Sequence, residues 1–160
     1  MDIIKMTEDE YYMSLALKQA ETAYSIGEVP VGAVAVYNGS VIGKAYNQIE
    51  TLKDATAHAE ILVITQASST IGNWRLSEVT IYVTKEPCPM CAGAMVNAKL
   101  GTLCFGMSDP KFGGCGGAFD ITNFETSLHR VNVRSGILNI ECSEMFKNFF
   151  REVRQGKMRP

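Results

Sequence analysis

Apolar residues recur along this chain with two distinct periods. Between Thr7 and Ile26, Tyr12, Leu15, Ala16, Gln19, Ala23 and Ile26 fall on or near one face at helical spacing, which predicts an amphipathic first helix. Gly27 is a natural stop. The pattern then changes to short β-prone runs. Val29 to Tyr37 reads as a strand and Val41 to Tyr46 as its return. Between them stands Asn38-Gly39, the dipeptide that best accepts the positive φ values of a tight hairpin. Asn47 to Ala55 reads as a loop, and Thr56 as the N-cap of a helix from about Ala57 towards Ala67. Val79 to Thr84 has the composition of a buried strand. A short helix is expected from Cys88 or Pro89 to about Ala98, then a strand from Thr102 to Phe105. Asp109 to Gly117 is a glycine-rich loop. Val131 to Arg134 and Ile137 to Ile140 are weaker strand candidates, and Glu141 to about Arg154 closes the chain as a helix. A hairpin followed by alternating strands and helices predicts an α/β fold, a three-layer α/β/α sandwich around a mixed central sheet.

Residues 1–160 show no repeat, low-complexity segment or linker, so one domain is expected. Hydrophobic residues make up 46% and charged residues 20%, the balance of a globular protein with a real core. The formal net charge of −2 gives no global electrostatic case for nucleic-acid binding, so any such binding must use a local patch. No apolar run is long enough to span a bilayer, and Met1-Asp2-Ile3-Ile4-Lys5 does not read as a signal peptide; the cytoplasm is the expected location. Five cysteines, an odd number, argue against a disulfide framework and for metal binding or free thiols.

Candidate chemistry concentrates in His58-Ala59-Glu60 and Pro87-Cys88-Pro89-Met90-Cys91. One imidazole and two thiols supply three zinc ligands and leave the fourth position open to water, as catalytic zinc sites do. Cys88 and Cys91 lie three apart and share a helix face; Pro89 suits the first helical position, which makes Cys88 the cap. His58 and Glu60 are two apart and reach a common point only at the first turn of a helix. Two helix N-termini are therefore expected to converge on one zinc ion per subunit, with Glu60 as the proton-transfer group. Taken singly, His-x-Glu carries no information, and Cys-x-x-Cys also serves redox and structural zinc sites. A closed structural site, with Cys104, Cys115 or Cys142 as fourth ligand, is the main rival. Cys104 and Cys142 read better as small buried hydrophobes.

In this order the two motifs match H-x-E…P-C-x-x-C, the known signature of the zinc-dependent nucleobase deaminases. Nearly the whole chain resembles one family within them, the bacterial tRNA-specific adenosine deaminases. The resemblance runs through Glu28-Val29-Pro30-Val31-Gly32-Ala33-Val34, Ala45-Tyr46-Asn47, Thr56-Ala57-His58-Ala59-Glu60, Tyr82-Val83-Thr84, Glu86-Pro87-Cys88, Met90-Cys91-Ala92-Gly93-Ala94-Met95, Phe105-Gly106, Asp109-Pro110-Lys111 and Phe149-Phe150-Arg151. It implies a cytidine deaminase-like fold, a homodimer, and conversion of the wobble adenosine of an arginine tRNA anticodon stem-loop to inosine. It implies zinc on His58, Cys88 and Cys91, and Glu60 as proton shuttle. Asn47 would contact the flipped adenine, with Glu28 and Val29 lining its pocket. Asp109 and Lys111 match a loop that holds anticodon nucleotides, and Phe149 and Arg151 a C-terminal helix that covers the RNA.

The chain departs from the family pattern at Ala55, where many members have proline, and at Leu128, before His129-Arg130, where relatives often have asparagine. The related guanine deaminases share Pro89 but typically show Phe-Gly-Ala-Val in place of Val31-Gly32-Ala33-Val34. A free-base or nucleoside deaminase acting on guanine or cytosine, and a non-catalytic zinc-stabilised RNA-binding module, remain as alternatives. The C-terminal Lys147, Arg151, Arg154, Lys157 and Arg159, interleaved with Phe146, Phe149 and Phe150, suit phosphate contact and base stacking. The same stretch fits an amphipathic closing helix with its aromatics in the core and its cations at the C-terminal end.

Overall fold

The computed structural model describes residues 4–158; the first residues of the chain and Arg159 of the basic stretch lie outside them. The elements are α1 (Glu8–Ser25), β1 (Gly32–Tyr37), β2 (Ser40–Tyr46), α2 (Ile49–Leu52), α3 (Ala59–Ile71), β3 (Thr80–Lys85), α4 (Pro89–Asn97), β4 (Thr102–Met107), β5 (Asn132–Arg134) and α5 (Asn139–Arg154). One five-stranded sheet has the order β2-β1-β3-β4-β5. β1 is antiparallel to both β2 and β3, whereas β3, β4 and β5 run parallel. The sheet is mixed, as expected.

Period-2 alternation sorts the strand residues between two cores. Ala33, Ala35, Ile81, Val83, Leu103 and Phe105 pack with Ala59, Val63, Ala67, Ala92 and Met95 of α3 and α4. Their neighbours Val34, Val36, Tyr82 and Cys104 point the other way, onto Tyr12, Met13 and Ala16 of α1 and Cys142 of α5. Full burial of each large apolar side chain stabilises by roughly 1.5–3 kcal/mol, so these two clusters hold the three layers together. Glycine permits the closest approach. A methyl group on Gly32 would collide with the Ala16 carbonyl oxygen and the Ala20 nitrogen of α1, so α1 lies directly on the start of β1.

Local chemistry sets most boundaries. Thr7 caps α1 in a reciprocal capping box with Glu10, at 3.1 and 2.9 Å. Asn38 and Gly39 take φ of 49° and 73°, the left-handed pair of the tight hairpin. Four expectations need correction. β1 begins at Gly32 rather than Val29, because Val31 N–H turns back to the Val29 carbonyl at 2.8 Å around Pro30. The segment after Asn47 contains the short helix α2. The cap of α3 is His58, not Thr56, and the helix continues to Ile71. Thr56 instead turns both its N–H and its hydroxyl onto Asp54 Oδ1, at 2.8 and 2.7 Å. Finally, Ile137–Ile140 is not a strand: Leu138 is left-handed, with φ of 51°, and caps α5, which starts at Asn139.

Candidate active site

His58 and Cys88 are the N-caps of α3 and α4, both in extended backbone and neither making a side-chain cap hydrogen bond. Freed from capping, the two side chains turn towards each other. Pro89 at the first position of α4 sets that helix running immediately after Cys88, and Cys91 follows one turn on. His58 Nδ1 lies 3.7 Å from Cys88 Sγ and 3.5 Å from Cys91 Sγ. All three ligand atoms fall within 4.8 Å of one another. Zinc–sulfur and zinc–nitrogen bonds of about 2.3 and 2.0–2.1 Å at tetrahedral angles give sulfur–nitrogen edges of about 3.6 Å. The donor set therefore fits zinc in both chemistry and spacing. Among the described residues the cluster contains no fourth cysteine. Cys104 and Cys142 pack in the core under α1 and α5, as expected of small hydrophobes, and the Cys115 thiol lies 4.0 Å from the Pro87 carbonyl oxygen.

The electrostatics favour a thiolate at Cys88. A hydrogen bond from Cys91, together with the His58 contact, lowers the Cys88 pKa against the opposing effect of burial. The same shared proton raises that of Cys91, with burial adding to it. His58 is raised, first by its hydrogen bond to Cys88. Glu60, second residue of α3, is only 4% exposed, and burial pushes its pKa up against the pull of His58. A carboxyl group so placed takes up a proton readily.

A cavity of about 250 Å³ opens over these groups. His58, Cys88 and Glu60 form its polar part; Val29, Val31, Ile49, Phe112 and Phe146 give it apolar walls; Asn47, Lys85 and Glu86 complete the lining, the Glu86 carboxylate being turned away onto the 109–117 loop. It lies beyond the carboxyl end of β3, where open α/β sheets hold their ligands.

A model of the MafB19-like deaminase family matches residues 7–154. Over 153 residues the chain is 49% identical to the tRNA-specific adenosine deaminase of Bacillus subtilis, covering 95% of this chain and 94% of that one. The chain belongs to the tRNA-specific adenosine deaminase family. The enzyme of that description from Streptococcus pyogenes serotype M18 is 40% identical over 152 residues, covering 95% of this chain and 96% of its own length. A solved tRNA:A34 deaminase, studied for A-to-I editing at the wobble position of transfer RNA, superposes with a TM-score of 0.81 at 41% identity. The match covers 84% of this chain and 98% of that one. The guanine deaminase of Bacillus subtilis superposes with a TM-score of 0.60 at 33% identity, over 64% of this chain and 66% of that one.

In this deaminase the other residues singled out from sequence are placed unevenly. Asn47 and Val29 line the cavity. Glu28 does not: it lies buried behind Asn47, accepting from Thr51 N–H at 2.6 Å, Thr51 hydroxyl at 2.9 Å and Asn47 Nδ2 at 3.4 Å. Asp109 pairs with Lys85 at 2.6 Å and accepts the N–H groups of Lys111 and Phe112 at 3.0 Å each, leaving the Lys111 side chain exposed. Phe149 is 0% exposed, its ring edge-to-face with Tyr24 and Phe150, so it belongs to the core and cannot stack on an RNA base. Arg151 is exposed and holds Asn148 Oδ1 at 2.9 Å. The aromatic of α5 that reaches the cavity is Phe146. His129 turns inward to the Leu100 carbonyl oxygen at 2.6 Å.

The sequence reading gave no site role to Lys85, Glu86 or Phe112, whereas Phe146 stood among the interleaved aromatics of the C-terminal stretch. Only the first two carried a signal, as a charged pair directly ahead of Pro87-Cys88.

Proposed function

We propose that this deaminase converts the wobble adenosine of an arginine tRNA anticodon loop to inosine, with water consumed and ammonia released. The observation that carries the reading is the buried Glu60 carboxyl group beside a three-ligand cluster on the floor of an apolar-walled cavity. Held by His58, Cys88 and Cys91, zinc supplies the Lewis acidity that makes water a nucleophile near neutral pH. Glu60 takes one proton of the attacking water and delivers it to N1 of the ring, then takes the second proton from the same oxygen at C6 and delivers it to the amine, which leaves as ammonia. Val29, Val31 and Phe112 offer apolar surface to a purine and exclude bulk water. Asn47, whose side-chain nitrogen is turned to Glu28, offers its amide oxygen as an acceptor towards the base. An anticodon loop presents its bases partly unstacked, which lowers the cost of flipping one into the cavity.

Asp109, Lys111 and Arg151 are the residues proposed to meet the flanking nucleotides. The reading also carries one zinc ion per subunit, a homodimer and a cytoplasmic location. The test incubates purified protein with an arginine anticodon stem-loop, and separately with free adenosine, guanine and cytosine, and measures inosine or ammonia. Inosine in the stem-loop is expected. Rapid turnover of free guanine or cytosine, with the stem-loop untouched, overturns the substrate.

A further inference from the structure

Glu86 stands between the end of β3 and the Pro87-Cys88 segment, and is 2% exposed. Burying a carboxylate is costly unless its oxygens are hydrogen-bonded. Here Oε1 accepts the Asp109 N–H at 3.0 Å, and Oε2 accepts those of Cys115 at 3.1 Å and Gly117 at 2.9 Å. All three donors belong to one loop, residues 109–117. The loop is shaped to receive the carboxylate: a methyl group on Gly113 or Gly117 would strike both the Glu86 carboxylate and the Asp109 carbonyl oxygen. A further bond, Gly114 N–H to the Pro87 carbonyl oxygen at 2.7 Å, ties the loop to the segment that bears the cysteine ligands. The loop's outer side carries Phe112 into the cavity and Asp109 onto Lys85.

We propose that Glu86 is a positioning residue of the deaminase site: through the three N–H groups it fixes the 109–117 loop as the wall that grips the nucleotides flanking the reacting base. This rests on the stem-loop reading above. Its physical reason is uniform binding: contacts to the nucleotides beside the reacting base hold ground state and transition state alike, so weakening them raises KM and spares kcat. Fastening the wall to the ligand-bearing segment keeps grip and chemistry in one frame. A free nucleoside has no flanking nucleotides and meets this wall only at Phe112, so it draws much less from it.

Glu86→Gln keeps the size but replaces one accepting oxygen with an amide N–H₂ that faces a backbone N–H. Gly117→Ala disturbs the same clamp while keeping the carboxylate. For both variants the expected result is a KM for the stem-loop raised about tenfold or more, the cost of about 1.4 kcal/mol of lost grip. The kcat at saturation should stay within about threefold, as should the slow turnover of free adenosine, with zinc content unchanged. Hydrogen exchange should quicken at the amides of Asp109, Cys115 and Gly117. Equal losses on stem-loop and adenosine overturn the proposal in favour of a purely structural role. So do freed amides with an unchanged KM, unchanged amide protection, or failure of both variants to fold. A wild-type protein that leaves the stem-loop unreacted refutes the substrate reading instead, while amide exchange still reports on the clamp.

Discussion

Replacing Glu60 with glutamine separates chemistry from architecture. The substitution keeps the volume of a side chain that is 4% exposed, so no cavity forms and neighbouring packing is retained. None of His58, Cys88 or Cys91 is touched, so metal content should be unchanged. What disappears is a group that can change its proton count. General acid–base catalysis contributes about 10²–10⁴ in rate, or roughly 2.7–5.5 kcal/mol at about 1.36 kcal/mol per factor of ten. Because the role proposed for Glu60 covers both the attack and the departure, the loss should lie at the upper end of that range. Stability should move the other way. Burial raises the Glu60 pKa in the metal-free fold, so its carboxylate form disfavours that fold increasingly as pH rises through the folded pKa. Glutamine removes this penalty, and the metal-free variant should melt no lower than wild type at neutral pH. Single-turnover deamination of the stem-loop, metal analysis by mass spectrometry and thermal unfolding read the three quantities. A variant within tenfold of the wild-type rate with its metal in place would refute the assignment of Glu60. Loss of metal together with a large fall in melting temperature would make Glu60 structural.

Cys91→Ala should lose metal and, when compared with metal-loaded wild type, stability, because metal-binding free energy is also folding free energy; metal analysis and unfolding in the presence of zinc check it. Asn47→Ala should slow deamination of the stem-loop at least tenfold while metal content stays constant, since it removes a cavity-lining polar group and no ligand. Arg134 holds the Asp9 carboxyl group below its usual pKa of 3.8, helped by the Tyr82 hydroxyl at 2.7 Å. A lowered folded pKa gives stability that is present above the unfolded value and lost as pH falls through the folded one. The stability gap between wild type and Asp9→Asn, measured by denaturant unfolding, should thus hold from neutral pH down to about 4 and shrink below it.

The parts of this site that could be read from sequence are local ones. Cys88, Pro89 and Cys91 fall within a single helical turn, and His58 and Glu60 within another, so spacing alone puts each set at a helix start. Where two neighbouring residues compete for one role, spacing is not enough: Asp54 captures Thr56, and the cap of α3 passes to His58. On α5 the aromatics are close in sequence but face different ways. Phe149 lies one heptad after the buried Cys142 and follows it into the core, whereas Phe146 faces the cavity. The bonding of Glu86 to the 109–117 loop was illegible for a different reason. Its partners are main-chain N–H groups 23 to 31 residues away, and main-chain donors leave no mark in a sequence beyond the glycines that make room.

The two helix caps that meet in the candidate metal cluster have a consequence for anyone who would engineer this protein. At an ordinary helix start, a serine or aspartate substituted at the cap is among the easiest routes to a hardier fold, adding about 1 kcal/mol. Here those two positions are closed to that route, because His58 and Cys88 direct their side chains into the three-residue cluster instead of capping. Thermostable variants will therefore be found elsewhere, and metal-depleted preparations should age first at the opening turns of α3 and α4.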